Sequence, residues 1–333
     1  MSQRLTPLVS IILPVHNQES TVEVCLRTLI HQSYPKKEII VVDDGSTDRT
    51  VAILSRLAGG YPSLIRLVPI PHSGAARARN IGLQHSKGEV ILFAEGDAIY
   101  SSEYLTRAVN CLMANPRLGG VCMTGATWIT KPTFITECIE VESRIRRKML
   151  EDGRLKPFYA WVFRREALIE VNGFDERLFQ AEDKDLLLRV RAAGYEIGVV
   201  GGINWRHRRG QGVKAFLKRC YLGGKTRILF VVKHRRVWDF VRSTYLLWAP
   251  LGLFPILPLL PWMILTALLY AGSALYKSIL IWRSGWNLAP NKKYLLLFPL
   301  FFLARYLANA LGYVHGLIIF AVRRAAGKNV DGS

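Results

Sequence analysis

The chain has 333 residues, with 45 Lys and Arg against 25 Asp and Glu, and a formal net charge of +20 at pH 7. This length predicts two domains, or one domain with an appendage. The five cysteines show no CxxC spacing, which disfavours a disulfide framework or a zinc site. The basic residues cluster beside apolar segments without interleaved aromatic residues, which argues against nucleic acid as the partner of the positive charge.

The first 95 residues predict strands that alternate with helices. Nearly continuous apolar runs are typical of strands buried on both faces. These runs lie at residues 8–15, 37–46, 64–70 and 89–95. Helical patterns stand between them, and Ser20 and Ser46 are the predicted N-caps of the first two helices. The alternation predicts an α/β domain with a mainly parallel, Rossmann-like sheet covered by helices on both faces.

Three of the four predicted strands end in polar residues. The residues at these ends are His16 and Asn17, Asp43 and Asp44, and Glu95 and Asp97. Ligands bind outside the carboxyl ends of the strands in sheets of this kind. The convergence of polar residues therefore predicts a binding site at that edge.

The acidic pair Glu95 and Asp97 flanks Gly96 in the stretch VILFAEGD. Carboxylates at this spacing can hold Mg²⁺ or Mn²⁺ against a nucleotide diphosphate, whose charge the ion would neutralise. The alternative is a solvated loop before a helix that begins within DAIYSSEYL. Asp44 could likewise accept hydrogen bonds from a base or ribose, whereas helix capping within DGSTD explains Asp43 and Ser46 about as well.

Two further segments place charge at predicted helix starts. In SGAARARN, Gly74 opens a helix on which Arg77 and Arg79 favour an anionic group, with a solvated basic face as the alternative. In AEDKD, Glu182 and Asp183 begin a helix predicted over residues 182–193. A carboxylate there could act as a general base on an acceptor hydroxyl, or could simply complement the helix dipole.

The C-terminal third differs sharply from the rest of the chain. Residues 206–242 carry twelve Lys and Arg against one acid, and two largely apolar blocks follow at 245–282 and 294–322. At roughly 20 residues per span, the first block predicts a pair of membrane helices and the second a further span or an interfacial helix. The positive-inside rule favours two spans plus a re-entrant or surface helix. We expect divisions at residues 1–210, 211–243 and 244–333.

Taken in order, these segments resemble the family 2 glycosyltransferases of GT-A fold. The resemblance covers residues 9–212 and rests on VSIILPVHN, IIVVDDGSTDRT, GAARARNIG, VILFAEGD, NGFDE and EDKDLLLRVRAAGYEI. It implies that Asp44 contacts the nucleotide base and that Glu95 and Asp97 bind the metal. It implies that Asp183 is the catalytic base of inverting transfer. The family usually has Asp in place of Glu95, which leaves the metal role of that residue open.

The other candidate site residues lie in the same segments or just after them. The predicted donor-nucleotide residues are Pro14, His16, Asn17, Asp43, Asp44, Arg77 and Asn80. The predicted contacts of the acceptor or the diphosphate are Glu182, His207, Arg208 and Arg209. The rest of the basic segment, through Lys233, Arg235 and Arg236, suits anionic headgroups next to a membrane.

The resemblance and the apolar blocks together imply a membrane-anchored inverting glycosyltransferase. It would move a sugar from a nucleotide-diphosphate donor to a lipid-linked or glycan acceptor, with Mg²⁺ or Mn²⁺. No secretory signal is recognisable, so the catalytic part is expected at the cytoplasmic face of the inner membrane. The Gln-x-x-Arg-Trp motif of related processive synthases is missing, which favours transfer of a single sugar. A polyprenyl-phosphate glycosyltransferase and a catalytically silent membrane scaffold of the same fold stay open as alternatives.

Overall fold

The computed structural model describes residues 6–129, 132–178, 181–209, 212–234 and 297–325, together with scattered positions between 268 and 283. The strands described are β1 (Val9–Val15), β2 (Lys37–Asp44), β3 (Ile65–Ile70), β4 (Val90–Phe93), β5 (Ala98–Tyr100), β6 (Leu118–Met123), β7 (Ala126–Ile129), β8 (Val162–Arg164), β9 (Glu196–Val200) and β10 (Trp205–Arg209). Most of the predicted membrane pair at 245–282 lies outside the described residues.

The helices flank these strands along the chain. The helices described are α1 (Val22–Ile30), α2 (Thr50–Gly60), α3 (Ala75–His85), α4 (Tyr104–Ala114), α5 (Phe134–Glu151), α6 (Arg165–Glu170), α7 (Glu182–Ala192), α8 (Val213–Lys233) and α9 (Phe298–Ala325). Up to β4, strands and helices alternate strictly, as the sequence predicts.

A seven-stranded sheet in the order β3-β2-β1-β4-β8-β6-β9 forms the centre of the α/β fold. β1 pairs in parallel with both β2 and β4, and β2 pairs in parallel with β3. Only β8 runs antiparallel to its neighbours, β4 and β6. Every residue of β4 is buried, as is nearly every residue of β1, which explains their uninterrupted apolar sequences. The predicted mainly parallel sheet is confirmed.

A smaller sheet, in the order β5-β10-β7, extends the site edge. β5 begins directly after Asp97 and pairs antiparallel with β10, so that Ala98 lies opposite His207. The helix expected to begin within DAIYSSEYL does begin there, but residues 98–100 of the stretch form β5 first, because they pair with β10. α4 begins only at Tyr104.

The two predicted N-caps are wrong. α1 begins at Val22, after Thr21, and α2 begins at Thr50, after Arg49. The hydroxyl of Ser46 instead accepts a hydrogen bond from the backbone N–H of Asn17, at 3.0 Å. That bond joins the turn after β2 to the turn after β1, where both turns border the site.

The chain divides into two compact units. The first comprises residues 1–128 and 146–208, and the second comprises residues 129–145 and 209–333. In the second unit α8 packs along α9, and Arg305 of α9 makes a bidentate ion pair with Glu142. Among the described residues, Phe298–Arg323 is the one helix that could cross a membrane by its length and composition.

Candidate active site

The turn between β4 and β5 carries the two predicted metal ligands, Glu95 and Asp97. His207 of β10 lies beside them: its Nε2 is 2.9 Å from Oδ1 of Asp97 and 3.9 Å from Oε2 of Glu95. The backbone N–H of Arg208 donates to the carbonyl of Asp97 at 2.8 Å. The antiparallel pairing of β5 with β10 thus brings an imidazole, predicted to meet the acceptor or the diphosphate, next to the carboxylates.

Buried groups fix the backbone of this turn. The N–H of Glu95 donates to the hydroxyl of Tyr100 at 2.8 Å, and the thiol of Cys25 donates to the carbonyl of Glu95 at 3.3 Å. Burial raises the pKa of both the thiol and the hydroxyl, so both stay protonated near neutral pH. Any Cβ at Gly96 would overlap the side-chain oxygen of Gln18. No motif in the sequence marks these supporting side chains, since each makes its contact through the fold.

Asp44 lies at the end of β2 and is only 3% exposed. Its Oδ1 accepts a hydrogen bond from the backbone N–H of Ser73 at 2.6 Å, and its Oδ2 accepts one from Gly74 at 2.9 Å. Gly74 has φ of +94°, a conformation that favours glycine. The carboxylate of Asp44 therefore holds the loop before α3.

Two histidines pack beside Asp44. The rings of His16 and His72 stack with centroids 4.1 Å apart, and Nδ1 of His72 lies 2.9 Å from Oδ2 of Asp44. Both Nδ1 atoms also lie within hydrogen-bond distance of the carbonyl oxygen of Asp44. Among the described residues, these three form the one group of metal-ligating side chains whose ligand atoms all lie within 4.8 Å of one another. His72 follows β3, so the strand-end rule could have identified it.

Asn17 and Asp43 complete this end of the sheet. Oδ1 of Asn17 accepts from the backbone N–H of Thr47 at 2.8 Å, and Asn17 itself has φ of +51°. Oδ2 of Asp43 accepts from the N–H of Ser46, whereas its Oδ1 is buried without a hydrogen-bond partner among the described residues. A buried acceptor without a donor is costly, which makes Oδ1 of Asp43 a candidate ligand contact.

The predicted catalytic base is at the start of α7. Asp183 is partly buried, and its Oδ1 accepts from the N–H of Lys184 at 2.8 Å. Its neighbour Glu182 forms an ion pair at 2.9 Å with Arg79 of α3, and burial raises the pKa of Glu182 although Arg79 opposes the shift. Ala181, just before the helix, is left-handed at φ +66°. Strain of this kind in a non-glycine residue is common at functional sites.

Several predicted site residues are not brought to these groups by any contact described. The amide of Asn80 is engaged by residues before α7: its Nδ2 donates to Phe174 and Glu176, and its Oδ1 accepts from Phe174. Arg77 is exposed on α3, and Pro14 lies within β1 opposite Val42. The side chain of Arg209 lies outside the described atoms.

The strands and turns that form this edge of the sheet match a known protein family. Residues 10–171 match the model of the family described as glycosyl transferase family 2. The chain carries a family 2 glycosyltransferase domain. Except for the first residue of β1, the matched range contains every strand and helix described from β1 to α6, including the acidic turn and the loop before α3.

Known glycosyltransferases are similar to this chain over part of their length. The chain is 29% identical over 197 residues to glycosyltransferase AglE of Haloferax volcanii, covering 57% of this chain and 64% of the relative. It is 30% identical over 203 residues to the probable glycosyltransferase YdaM of Bacillus subtilis, covering 57% and 48%. The chain thus spans less than two thirds of these relatives.

A solved structure supports the GT-A fold. The mannosyltransferase PcManGT of Pyrobaculum calidifontis, in complex with GDP-Man and Mn²⁺, aligns with a TM-score of 0.61 at 21% identity. The alignment covers 92% of this chain and 87% of the other. At this identity the likeness concerns the fold, and it agrees with the mainly parallel sheet described above.

Proposed function

We propose that the chain is a metal-dependent inverting glycosyltransferase that uses a nucleotide-diphosphate sugar. The observation that carries the proposal is the convergence of Glu95, Asp97 and His207 at the carboxyl end of β4. The two carboxylates lie within the residues that match the family 2 glycosyltransferase model. Each of the three side chains is between 14% and 34% exposed, which leaves their ligand atoms accessible while fixing their directions.

These three residues fit a divalent cation. Carboxylates suit Mg²⁺ and Mn²⁺, and the imidazole favours the transition metal of the two, so Mn²⁺ is the first ion to test. When bound, such an ion supplies positive charge to the departing diphosphate. The contacts of Tyr100 and Cys25 with the Glu95 backbone keep the carboxylates in place before any ligand arrives.

The group of His16, Asp44 and His72 is the less suitable metal site. The two oxygens of the Asp44 carboxylate already accept backbone hydrogen bonds from the loop before α3. The histidine rings stack on each other, with their Nδ1 atoms at the Asp44 carbonyl. We assign this group to the donor nucleotide, whose base can stack on the exposed His72 ring and donate to the unpartnered Oδ1 of Asp43.

Asp183 is assigned as the general base. Its carboxylate would take the proton of the acceptor hydroxyl, which then attacks the anomeric carbon from the face opposite the diphosphate. Glu182, held by Arg79, orients the start of α7 and so the direction of Asp183. Arg208 lies next to the acidic turn and is assigned to the acceptor or the diphosphate, as is Arg209.

The second unit supports our proposal for the acceptor and the compartment. An apolar helix and a strongly basic helix in one unit support association with the cytoplasmic face of the inner membrane, and hence a lipid-linked or glycan acceptor. GDP-mannose belongs first in the donor panel because the PcManGT complex contains it. The panel of UDP-, GDP- and dTDP-sugars then identifies the donor sugar and the nucleotide.

The test is sugar-nucleotide turnover by the detergent-purified chain with Mn²⁺ or Mg²⁺ and lipid extract as acceptor. Asp97→Asn and Asp183→Asn should each lower turnover by about 100-fold or more. Glu103→Gln, which neutralises an exposed carboxylate before α4, is the matched control and should retain full turnover. Turnover that survives Asp183→Asn would point to a phosphate acceptor. Binding of the nucleotide without turnover of any donor would point to a silent scaffold.

A second measurement separates the two metal-ligating groups. Binding of Mn²⁺ in the presence of nucleoside diphosphate can be followed by the loss of the free-ion electron paramagnetic resonance signal. His207→Ala should weaken this binding about 10-fold or more, whereas His72→Ala should leave the metal affinity unchanged and weaken the nucleotide. The reverse pattern would place the metal at His16, Asp44 and His72 and overturn the assignment.

A further inference from the structure

Helix α9 exposes a continuous apolar stripe. Its members are between 40% and 65% exposed, namely Leu300, Leu307, Leu311, Val314, Ile318 and Val322. At 3.6 residues per turn they fall within an arc of roughly 80° on one side of the helix. The stripe extends over roughly 33 Å of helix. An apolar surface this long indicates a partner other than water.

The opposite side of α9 packs closely against α8. A Cβ at Gly312 would overlap the carbonyl of Tyr221, and a Cβ at Gly316 would overlap the carbonyl of Lys225. Gly224 of α8 touches the Asn309 carbonyl in the same way. The two backbones are therefore in direct contact over the middle of α9, and α8 must accompany α9 wherever α9 lies.

The partner helix is too basic for the interior of a bilayer. α8 has six Lys and Arg among its residues and no acid, and Arg227 lies at the seam, where it donates to the hydroxyl of Tyr313 at 3.2 Å. Nearer its start, α9 is held by the bidentate pair of Arg305 with Glu142 of α5, with the guanidinium 4.5 Å from the centroid of Phe301. An α9 that spanned the membrane would draw these ionised groups toward the hydrocarbon.

We propose that α9 lies in the plane of an anionic membrane surface rather than across the bilayer. The stripe faces the acyl chains, and α8 covers the opposite side toward the cytoplasm. Packed helices are about 8–10 Å apart, so the charges of α8 lie within about one Debye length of the headgroups. Lys214, Lys218 and Arg219 are exposed on α8, and anionic lipid complements them. The proposal goes beyond sugar transfer and rests only on the membrane association proposed above.

The experiment measures the depth of three points along the stripe. A nitroxide is attached at Leu300→Cys, Leu311→Cys or Val322→Cys in the full chain, reconstituted in phosphatidylcholine vesicles with about one third phosphatidylglycerol. Power saturation with oxygen and a water-soluble nickel complex gives each depth. Ala215→Cys is the matched control on exposed α8, and the chain without these substitutions gives the background from the native cysteines.

An in-plane helix predicts three similar depths, about 5–10 Å below the headgroup boundary, with the control in water. A spanning helix would instead put the label at Leu311 near the centre of the roughly 30 Å core, with the two outer labels near opposite surfaces. That profile overturns the proposal. So do three labels shielded from both reagents, which would mean that another part of the chain or a second copy covers the stripe. Sugar transfer measured on the same vesicles separates these failures from a failure of the proposed function.

Discussion

The ion pair between Arg79 and Glu182 should be the most consequential buried contact near the candidate base. The two side chains are 7% and 16% exposed, and Nη1 of Arg79 lies 2.9 Å from Oε1 of Glu182. At this separation the attraction is about 6 kcal/mol with an effective dielectric constant of 20, and desolvation of the two charges offsets most of it. Arg79→Met leaves Glu182 buried and uncompensated, which costs about 3–5 kcal/mol.

For a unit of this size, such a loss lowers the melting temperature by roughly 6–20 °C. Differential scanning fluorimetry of the detergent-purified chain measures it. Arg56→Met removes an exposed pair with Glu23 and is the matched control, whose melting temperature should not change. Adding Glu182→Leu to Arg79→Met should restore most of the loss, because an apolar pair can replace a buried ionic one. A double variant as unstable as the sum of the singles would refute this reasoning.

Three further outcomes follow from single contacts. Tyr100→Phe removes the hydroxyl that accepts from the Glu95 N–H, and it should weaken Mn²⁺ binding about 10-fold in a titration. An unchanged Mn²⁺ affinity would mean that this hydrogen bond does not position the turn. Asp44→Asn loses one backbone acceptor, costs about 1–3 kcal/mol, and should raise the KM for the donor more than it lowers kcat. Burial raises the pKa of Glu182, so the contribution of Glu182 to stability falls as pH rises through that pKa. In thermal melts, the stability of the unsubstituted chain relative to Glu182→Gln should therefore decrease between pH 4 and pH 8. An increase would contradict the direction of the pKa shift.

The sequence predicted the parts of the fold that are encoded locally. The uninterrupted apolar runs of β1 and β4 identify buried parallel strands, and the polar residues that follow them mark the site edge. Asp97, which follows β4, is predicted as a site residue in this way. The same strand-end rule applies to His72, which follows β3.

What the sequence could not predict depends on partners far along the chain. β5 forms because β10, more than 100 residues later, pairs with it, and the same pairing brings His207 to Asp97. Local propensity cannot reveal such a partner. The inclusion of residues 129–145 in the second unit is of the same kind, since the sequence has no change of composition there.

The contacts of the segment ARN, residues 78–80, are with α7 and the residues just before it, which favours a role in positioning α7 over contact with the sugar-nucleotide donor. Arg79 binds Glu182 at the start of α7, and Asn80 makes three hydrogen bonds to the segment just before it. Both side chains are thereby committed to holding the helix that carries Asp183. A substitution such as Asn80→Ala should therefore lower kcat while the KM for the donor is retained. A raised donor KM with normal kcat would return Asn80 to the nucleotide site.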